Sequence, residues 1–267
     1  MAPDDPGDIE EDGEVDGEVD GEVDALPIVF RDDWLIAIHK PSGLLVHRSD
    51  LDRHETRFAV QLLRDQIGRT VWPVHRLDRG TSGLLLFSLD RDMGRMLGGQ
   101  FERGEVEKRY LAVVRGFPAE SGEIDHPLIP LADERAGILP GRPPQPARTR
   151  FRRLATVELP HRVDRYPSSR YALVELNPLT GRRHQLRRHM KHIAHPIIGD
   201  ATHGKGNHNR LFQALFGCRR MLLAALEMRL RHPVTDEPLV LRAPLAGDFA
   251  DVLRQLGWNG FPIAPND

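Results

Sequence analysis

The segment at 74–87, Val-His-Arg-Leu-Asp-Arg-Gly-Thr-Ser-Gly-Leu-Leu-Leu-Phe, constrains this chain most. Its second half is an apolar run that reads as a strand, entered through a glycine-bounded turn. At the mouth of that turn stands Asp78, between Arg76 and Arg79. A surface carboxylate needs no such setting. One that must stay ionised while half-buried does, because adjacent cations favour the charged form and resist the upward pKa shift that burial causes. Asp78 is therefore a candidate anionic nucleophile. The same local chemistry also describes an aspartate that caps a turn by accepting backbone amides.

Charge is divided unevenly along the chain. Residues 1–24 hold twelve acidic residues and no basic one, so residues 25–267 carry 37 basic against 27 acidic residues, a net of +10. A basic body points to a polyanionic partner, with nucleic acid foremost. The acidic stretch repeats Asp-Gly-Glu-Val three times over 12–23 and lacks aromatic residues, which predicts a disordered tail over 1–25. The single cysteine, Cys218, excludes an internal disulfide and fits a reducing cytosol. No apolar run is long enough to span a bilayer, and residues 1–7 lack the basic start and apolar stretch of a signal peptide, so a cytoplasmic location is expected.

After the tail no globular repeat or linker is visible, and residues 26–260 read as one α+β domain. Short strands are expected at 26–31, 34–39, 71–77, 84–89, 106–116, 148–155, 171–176, 222–231 and 239–242. In the run at 106–116, Lys108, Tyr110, Ala112 and Val114 share one face. Helices are expected at 57–66, 90–104, 183–194 and 249–256, the third with Leu186, Met190, Ile193 and Ala194 as its buried stripe and Pro196 beyond its end. The Pro/Gly-rich residues 138–146 read as a surface loop.

Two further clusters carry chemistry. Lys108-Arg109-Tyr110 sets a tyrosine beside cations on a strand, where it can act as a base or a stacking plate, or simply fill the core with its hydroxyl satisfied. The stretch at 181–192 packs Arg182, Arg183, Arg187, Arg188 and Lys191 into about three helical turns. Like charges at that spacing repel, so an anion is expected against them: phosphates outside, or a buried carboxylate inside. His184, His189, His192 and His195 invite a metal reading, but no cysteine or carboxylate lies among them and five cations oppose a divalent ion. Neither G-x-G-x-x-G nor G-x-x-x-x-G-K-[ST] occurs, which argues against a nucleotide cofactor.

Taken together, these strings resemble the motifs of the pseudouridine synthases of the large-subunit ribosomal synthase A type. Lys-Pro-Ser-Gly at 40–43 is similar to the family's first motif. His-Arg-Leu-Asp with Thr-Ser-Gly at 75–83 is similar to the second. Lys-Arg-Tyr at 108–110 resembles its Lys-x-Tyr strand. Residues 181–187 with His-Pro-Ile-Ile-Gly-Asp at 195–200 resemble the third, and His-Pro-Val-Thr at 232–235 the closing motif. Within the family, Leu51-Asp52-Arg53, Arg-Asp-Gln-Ile-Gly at 64–68, residues 182–189 and Gln-Leu-Gly-Trp at 255–258 resemble the branch that modifies transfer RNA. The chain departs from the pattern at Gly80, at Ala224 and in the acidic tail.

The resemblance implies a catalytic domain with a mixed, mainly antiparallel sheet flanked by helices, without the S4-like domain that precedes it in many relatives. It implies Asp78 as nucleophile, Tyr110 as base and stacking partner, and Arg187 as the ion-pair partner of Asp78. It further implies RNA contacts from Arg76, which could fill the space of a flipped nucleotide, and from Arg79, Lys108, Arg182, Arg183, His184 and Arg188. The expected activity is isomerisation of one uridine in transfer RNA, where the T stem meets the acceptor stem, with no cofactor, no membrane and no obligate protein partner, the chain being a monomer. Ribosomal RNA as substrate, or an RNA-binding or chaperone role with incidental activity, are the rival expectations.

Overall fold

The alternating and apolar runs become strands of one sheet, and the amphipathic runs become helices upon it. The computed structural model describes residues 25–47, 55–131 and 141–260. Along these the order is β1 (Ile28–Arg31), β2 (Leu35–Lys40), α1 (Ala59–Ile67), β3 (Trp72–Pro73), β4 (Ser82–Ser88), α2 (Arg91–Glu102), β5 (Glu107–Arg115), β6 (Ser121–Asp125), β7 (Arg148–Leu159), β8 (Ser169–Pro178), α3 (Gln185–His192), α4 (Gly206–Phe216), β9 (Leu223–Arg231), β10 (Pro238–Arg242) and α5 (Gly247–Gln255). The acidic tail, Leu51-Asp52-Arg53 and the first part of the loop at 138–146 lie outside the described residues.

The strands join in the order β1-β2-β4-β9-β5-β8-β7-β6, with β3 beside β4 and β10 beside β9. All pairings are antiparallel except that of β4 with β9. That parallel seam has only two rungs, Ser82 with Ala224 and Gly83 with Ala225. Gly83 makes it possible: at φ 102 its ideal Cβ would stand 2.0 Å from the Ala225 carbonyl oxygen, so any side chain would force the strands apart. The fold is thus α+β with a mixed, mainly antiparallel sheet.

Burial explains why the elements settle as they do. Every residue of β4 is buried, as its apolar run requires. Asp90 caps α2 by accepting the amides of Asp92 and Met93 at 2.9 and 3.1 Å. Gly68 ends α1 in the left-handed region. One core cluster packs β2 and β4 with Leu63 of α1 and Leu97 of α2. A second packs Leu111 and Val113 of β5 with Phe212 of α4 and Phe249 of α5. A third packs Ala112 and Val114, on the opposite face of β5, with Leu186 and Met190 of α3. This third cluster fixes the height of α3 above the sheet.

Several boundaries differ from the sequence reading. The strand expected at 71–77 is shortened to Trp72 and Pro73, followed by one further bond from the Val74 amide to the Leu86 carbonyl, after which the chain leaves the sheet toward Asp78. The helix expected at 183–194 spans eight residues, because His184 (φ 54) and Ala194 (φ 65) are both left-handed and bracket it. Ile193 is only half-buried and Ala194 exposed. Strand β6 and helix α4 had no counterpart in the sequence reading. Among the described residues, no helix is long and apolar enough to cross a membrane.

Candidate active site

The turn from β3 to β4 delivers Asp78 to the floor of a cleft of about 810 Å³, which is also lined by Arg76, Lys108, Tyr110, Arg187 and Leu223. The turn is closed by the Thr81 amide donating to the Asp78 carbonyl at 3.1 Å. It is anchored from below by Lys40, whose side chain is fully buried and whose Nζ donates to the carbonyls of Pro41, Leu44 and Arg79 at 2.8, 2.6 and 3.1 Å. Burial, helped by the nearby Arg220 cation, pushes the Lys40 ammonium down to about 7, against the pull of Asp78. Three carbonyl acceptors match the three donors of the charged form.

The cation that meets Asp78 comes from 109 residues away. Arg187 Nη1 donates to Asp78 Oδ2 at 3.2 Å, with the carboxylate side chain 18% exposed. The two sequence-adjacent arginines do otherwise. Arg79 turns to Glu55 (2.5 Å) and to the Gly43 carbonyl (3.1 Å) and does not line the cleft, so the structure leaves its expected RNA contact without support. Arg76 is exposed on the cleft wall.

Sequence reasoning assigned no role to Asp200, which organises this pair. Its carboxylate takes a bidentate fork from Arg187 Nε and Nη2 at 2.7 and 2.8 Å, and Oδ1 also accepts the amides of Thr202 and His203. Burial would raise this carboxyl, but the Arg187 fork outweighs it and holds it below its ordinary range. The signal was present: five cations within residues 182–191 called for a carboxylate inside, and Asp200 follows Gly199, whose Cβ would stand 2.0 Å from the Arg220 carbonyl oxygen.

Gln185 and His189 are also buried beyond what their types suggest. Gln185 accepts from Thr180 Oγ1 and the Arg182 amide and donates to the Arg148 carbonyl and Thr149 Oγ1, which pins the start of α3. His189 bridges Thr149 Oγ1 and the His126 carbonyl. The four histidines therefore diverge: His192 stacks on His126, His195 meets the Arg115 carbonyl, and His184 faces Asp78 at 4.0 Å while touching His203. Burial pushes His184 down to about 4 despite the pull of Asp78, so it is neutral at pH 7.

Tyr110 enters the cleft at a bulge, where the β5–β9 register slips between Arg109 and Tyr110. Burial and the Asp78 charge push its phenol well above the ordinary range. One wall carries Phe101, stacked on His75 at 5.3 Å with Lys108 Nζ 5.9 Å above its ring. On the opposite rim Arg182 and Arg188 donate to the carbonyls of Pro146 and Ile129. A carboxylate, a buried phenol and a cationic rim around an open cleft suit a polyanionic substrate that presents one planar group.

A family model described as RNA pseudouridylate synthase matches residues 34–192, more than half of the chain. The chain belongs to the RNA pseudouridylate synthase family. As a family member it is an isomerase, and its fold agrees with solved relatives. Human RNA Pseudouridylate Synthase Domain Containing 4 aligns with a TM-score of 0.65 at 25% identity, covering 86% of this chain and 93% of that one. The human Domain Containing 1 protein aligns at 0.64 and 27%, covering 84% and 85%. Proteins named tRNA pseudouridine synthase C are nearer in sequence. That of Salmonella typhi is 48% identical over 88% of this chain and 91% of its own. That of Haemophilus ducreyi is 49% identical over 88% and 97%. That of Pectobacterium carotovorum subsp. carotovorum is 49% identical, and this synthase spans 63% of its length.

Proposed function

We propose that this chain isomerises one uridine of transfer RNA to pseudouridine in the cytoplasm, at the junction of the T and acceptor stems, with residues 26–260 acting as one catalytic domain. The observation that carries this reading is the Asp78–Arg187 pair facing the same cleft as Tyr110, in a chain 48–49% identical to proteins named tRNA pseudouridine synthase C.

The reaction breaks the N1–C1′ bond, turns the uracil, bonds C5 to C1′ and releases the C5 proton. Nothing is oxidised and no group is imported. In this reading Asp78 bonds to C1′ as the glycosidic bond breaks, and leaves when C5 takes its place. Arg187 supplies the countercharge through one N–H of Nη1, while Nε and Nη2 are held by Asp200. Tyr110 enters as a neutral phenol: its ring stacks on the uracil, and its oxygen takes the C5 proton as its own proton passes to solvent, which returns one proton to the N1 freed by the bond cleavage. The target base must leave the helix, with Arg76 filling its place and Lys108, Arg182, Arg183, His184 and Arg188 along the strand.

Purified protein given folded transfer-RNA transcripts and ribosomal RNA fragments tests this directly. Pseudouridine is expected in transfer RNA, and Asp78→Asn should abolish turnover while RNA affinity stays within about threefold. Modification of the ribosomal fragments alone, or an Asp78→Asn enzyme with near wild-type rate, would overturn the reading.

A further inference from the structure

Pro127 and Pro130 stiffen the segment between them. Each ring locks its own φ, and each restricts the residue before it to extended backbone. Residues 126–129 therefore prolong the ribbon of β6 and β7. The His126 amide donates to the Ala147 carbonyl at 3.1 Å, and Leu128 and Gln145 exchange amide–carbonyl bonds at 2.9 Å in both directions. Alternation then decides the side chains: Leu128 turns inward and is buried, while Ile129 is 55% exposed.

An isolated exposed apolar residue is ordinary. This one is not isolated. Of the seven large apolar side chains exposed among the described residues, Ile129 alone lines the cleft that holds Asp78. Half-buried Pro130, Leu131 and Leu179 line the same cleft, so Ile129 crowns an apolar shelf. Its β-branch stiffens it at χ1. Cations stand beside the shelf: Arg188 Nη1 donates to the Ile129 carbonyl at 2.8 Å, and Arg182 Nε to the Pro146 carbonyl at 3.1 Å. A carbonyl fixes a guanidinium in place without neutralising it. A stiff apolar projection between fixed cations matches the two surfaces that a nucleic-acid strand presents, its bases and its phosphates.

We propose that Ile129 is a wedge: it packs against the base pair next to the target uridine once that uridine leaves the helix, while Arg182 and Arg188 hold the flanking phosphates. This rests on the RNA-modifying reading above and extends it. Arg76 takes the place of the missing base, and Ile129 covers the stack bared beside it. Unstacking a paired base is costly, and least so when the base is already unpaired. Burial of the isoleucine side chain against the bared stack offsets part of that cost.

A pair of transcripts separates a wedge from a merely structural residue. In one the target uridine is paired; in the other its partner base is replaced so that the uridine is unpaired. On the full chain, Ile129→Ser should lower kcat/KM by about tenfold on the paired transcript and by less than about threefold on the unpaired one. Ile129→Leu, which keeps the apolar volume, should retain most of the activity on both. Urea midpoints of both variants should match the wild type, because the side chain is exposed. Arg188→Met, which loses a phosphate contact, should be weakened equally on both transcripts. An Ile129→Ser defect of the same size on both transcripts, or none on the paired one, would overturn the wedge. The transcripts are built from whichever RNA the wild-type protein modifies. Activity on ribosomal fragments alone would thus sink the proposed substrate and leave the wedge to the same comparison, whereas inactivity on every RNA would sink both.

Discussion

Arg187 divides its guanidinium between two carboxylates: Nε and Nη2 go to the fully buried Asp200, and Nη1 alone reaches Asp78. Replacing Arg187 by Met therefore leaves Asp200 as an uncompensated buried charge, which costs about 3–5 kcal/mol. Chemical denaturation should show that loss. Adding Asp200→Asn to Arg187→Met should recover part of it, yet turnover should stay lost, because Asp78 still lacks its cation. Arg188→Met should keep stability and turnover and weaken RNA binding, since its guanidinium sits on the rim. Single-turnover rates for the double variant and Arg188→Met that fall equally would refute this division. Asp78 and the arginine cluster were legible in the sequence as residue types in an unusual setting. Which cation would meet Asp78 was not legible from local chemistry: adjacency favoured Arg76 and Arg79, and only the resemblance pointed to Arg187.

Among elements, the strands with clean alternation or apolar runs were legible, β5 most clearly. Its faces separate as period two demands, with Ala112 and Val114 against α3 and Leu111 and Val113 against α4 and α5. Strand β6 was not legible because Ser-Gly-Glu-Ile-Asp has one apolar residue and owes its shape to pairing with β7. Helix α4 opens on Gly-Asn, poor helix formers, and forms because Phe212 packs into the core. In α3 the hydrophobic stripe gave the buried side but not the burial of Gln185, Arg187 and His189, whose partners lie on distant segments. The two-rung seam between β4 and β9 yields a sharper expectation. Gly83→Ala should destabilise by at least about 3 kcal/mol in urea titrations, from backbone strain plus the clash with Ala225. Gly68→Ala, at φ 64 with open space around it, should cost only about 1 kcal/mol. Equal costs would mean the seam tolerates opening.

For the molecule as a whole, pH should act through histidines folded in neutral form. Burial, with the Lys108 charge, pushes His75 down to about 3, and its Nε2 accepts the Leu86 amide at 3.0 Å, a bond that protonation forfeits. His184 lies at about 4. The unfolded chain protonates both near 6.5. Unfolding therefore takes up protons below that pH, and stability falls as pH drops from about 6.5 toward 4, by up to about 1.4 kcal/mol per pH unit for each histidine. Urea midpoints at pH 7.5, 6 and 5 should decline in that order, and His184→Asn should flatten the slope. A midpoint independent of pH over this window would show that neither ring is held neutral.

The parallel seam also sets a timetable for synthesis. Ala224 follows Ser82 by 142 residues, so at roughly 5–20 residues per second β4 leaves the ribosome on the order of 10 s before its partner exists. During that interval its inner edge offers unpaired amides and carbonyls beside an apolar surface, which is the form in which a nascent strand recruits wrong neighbours or a chaperone.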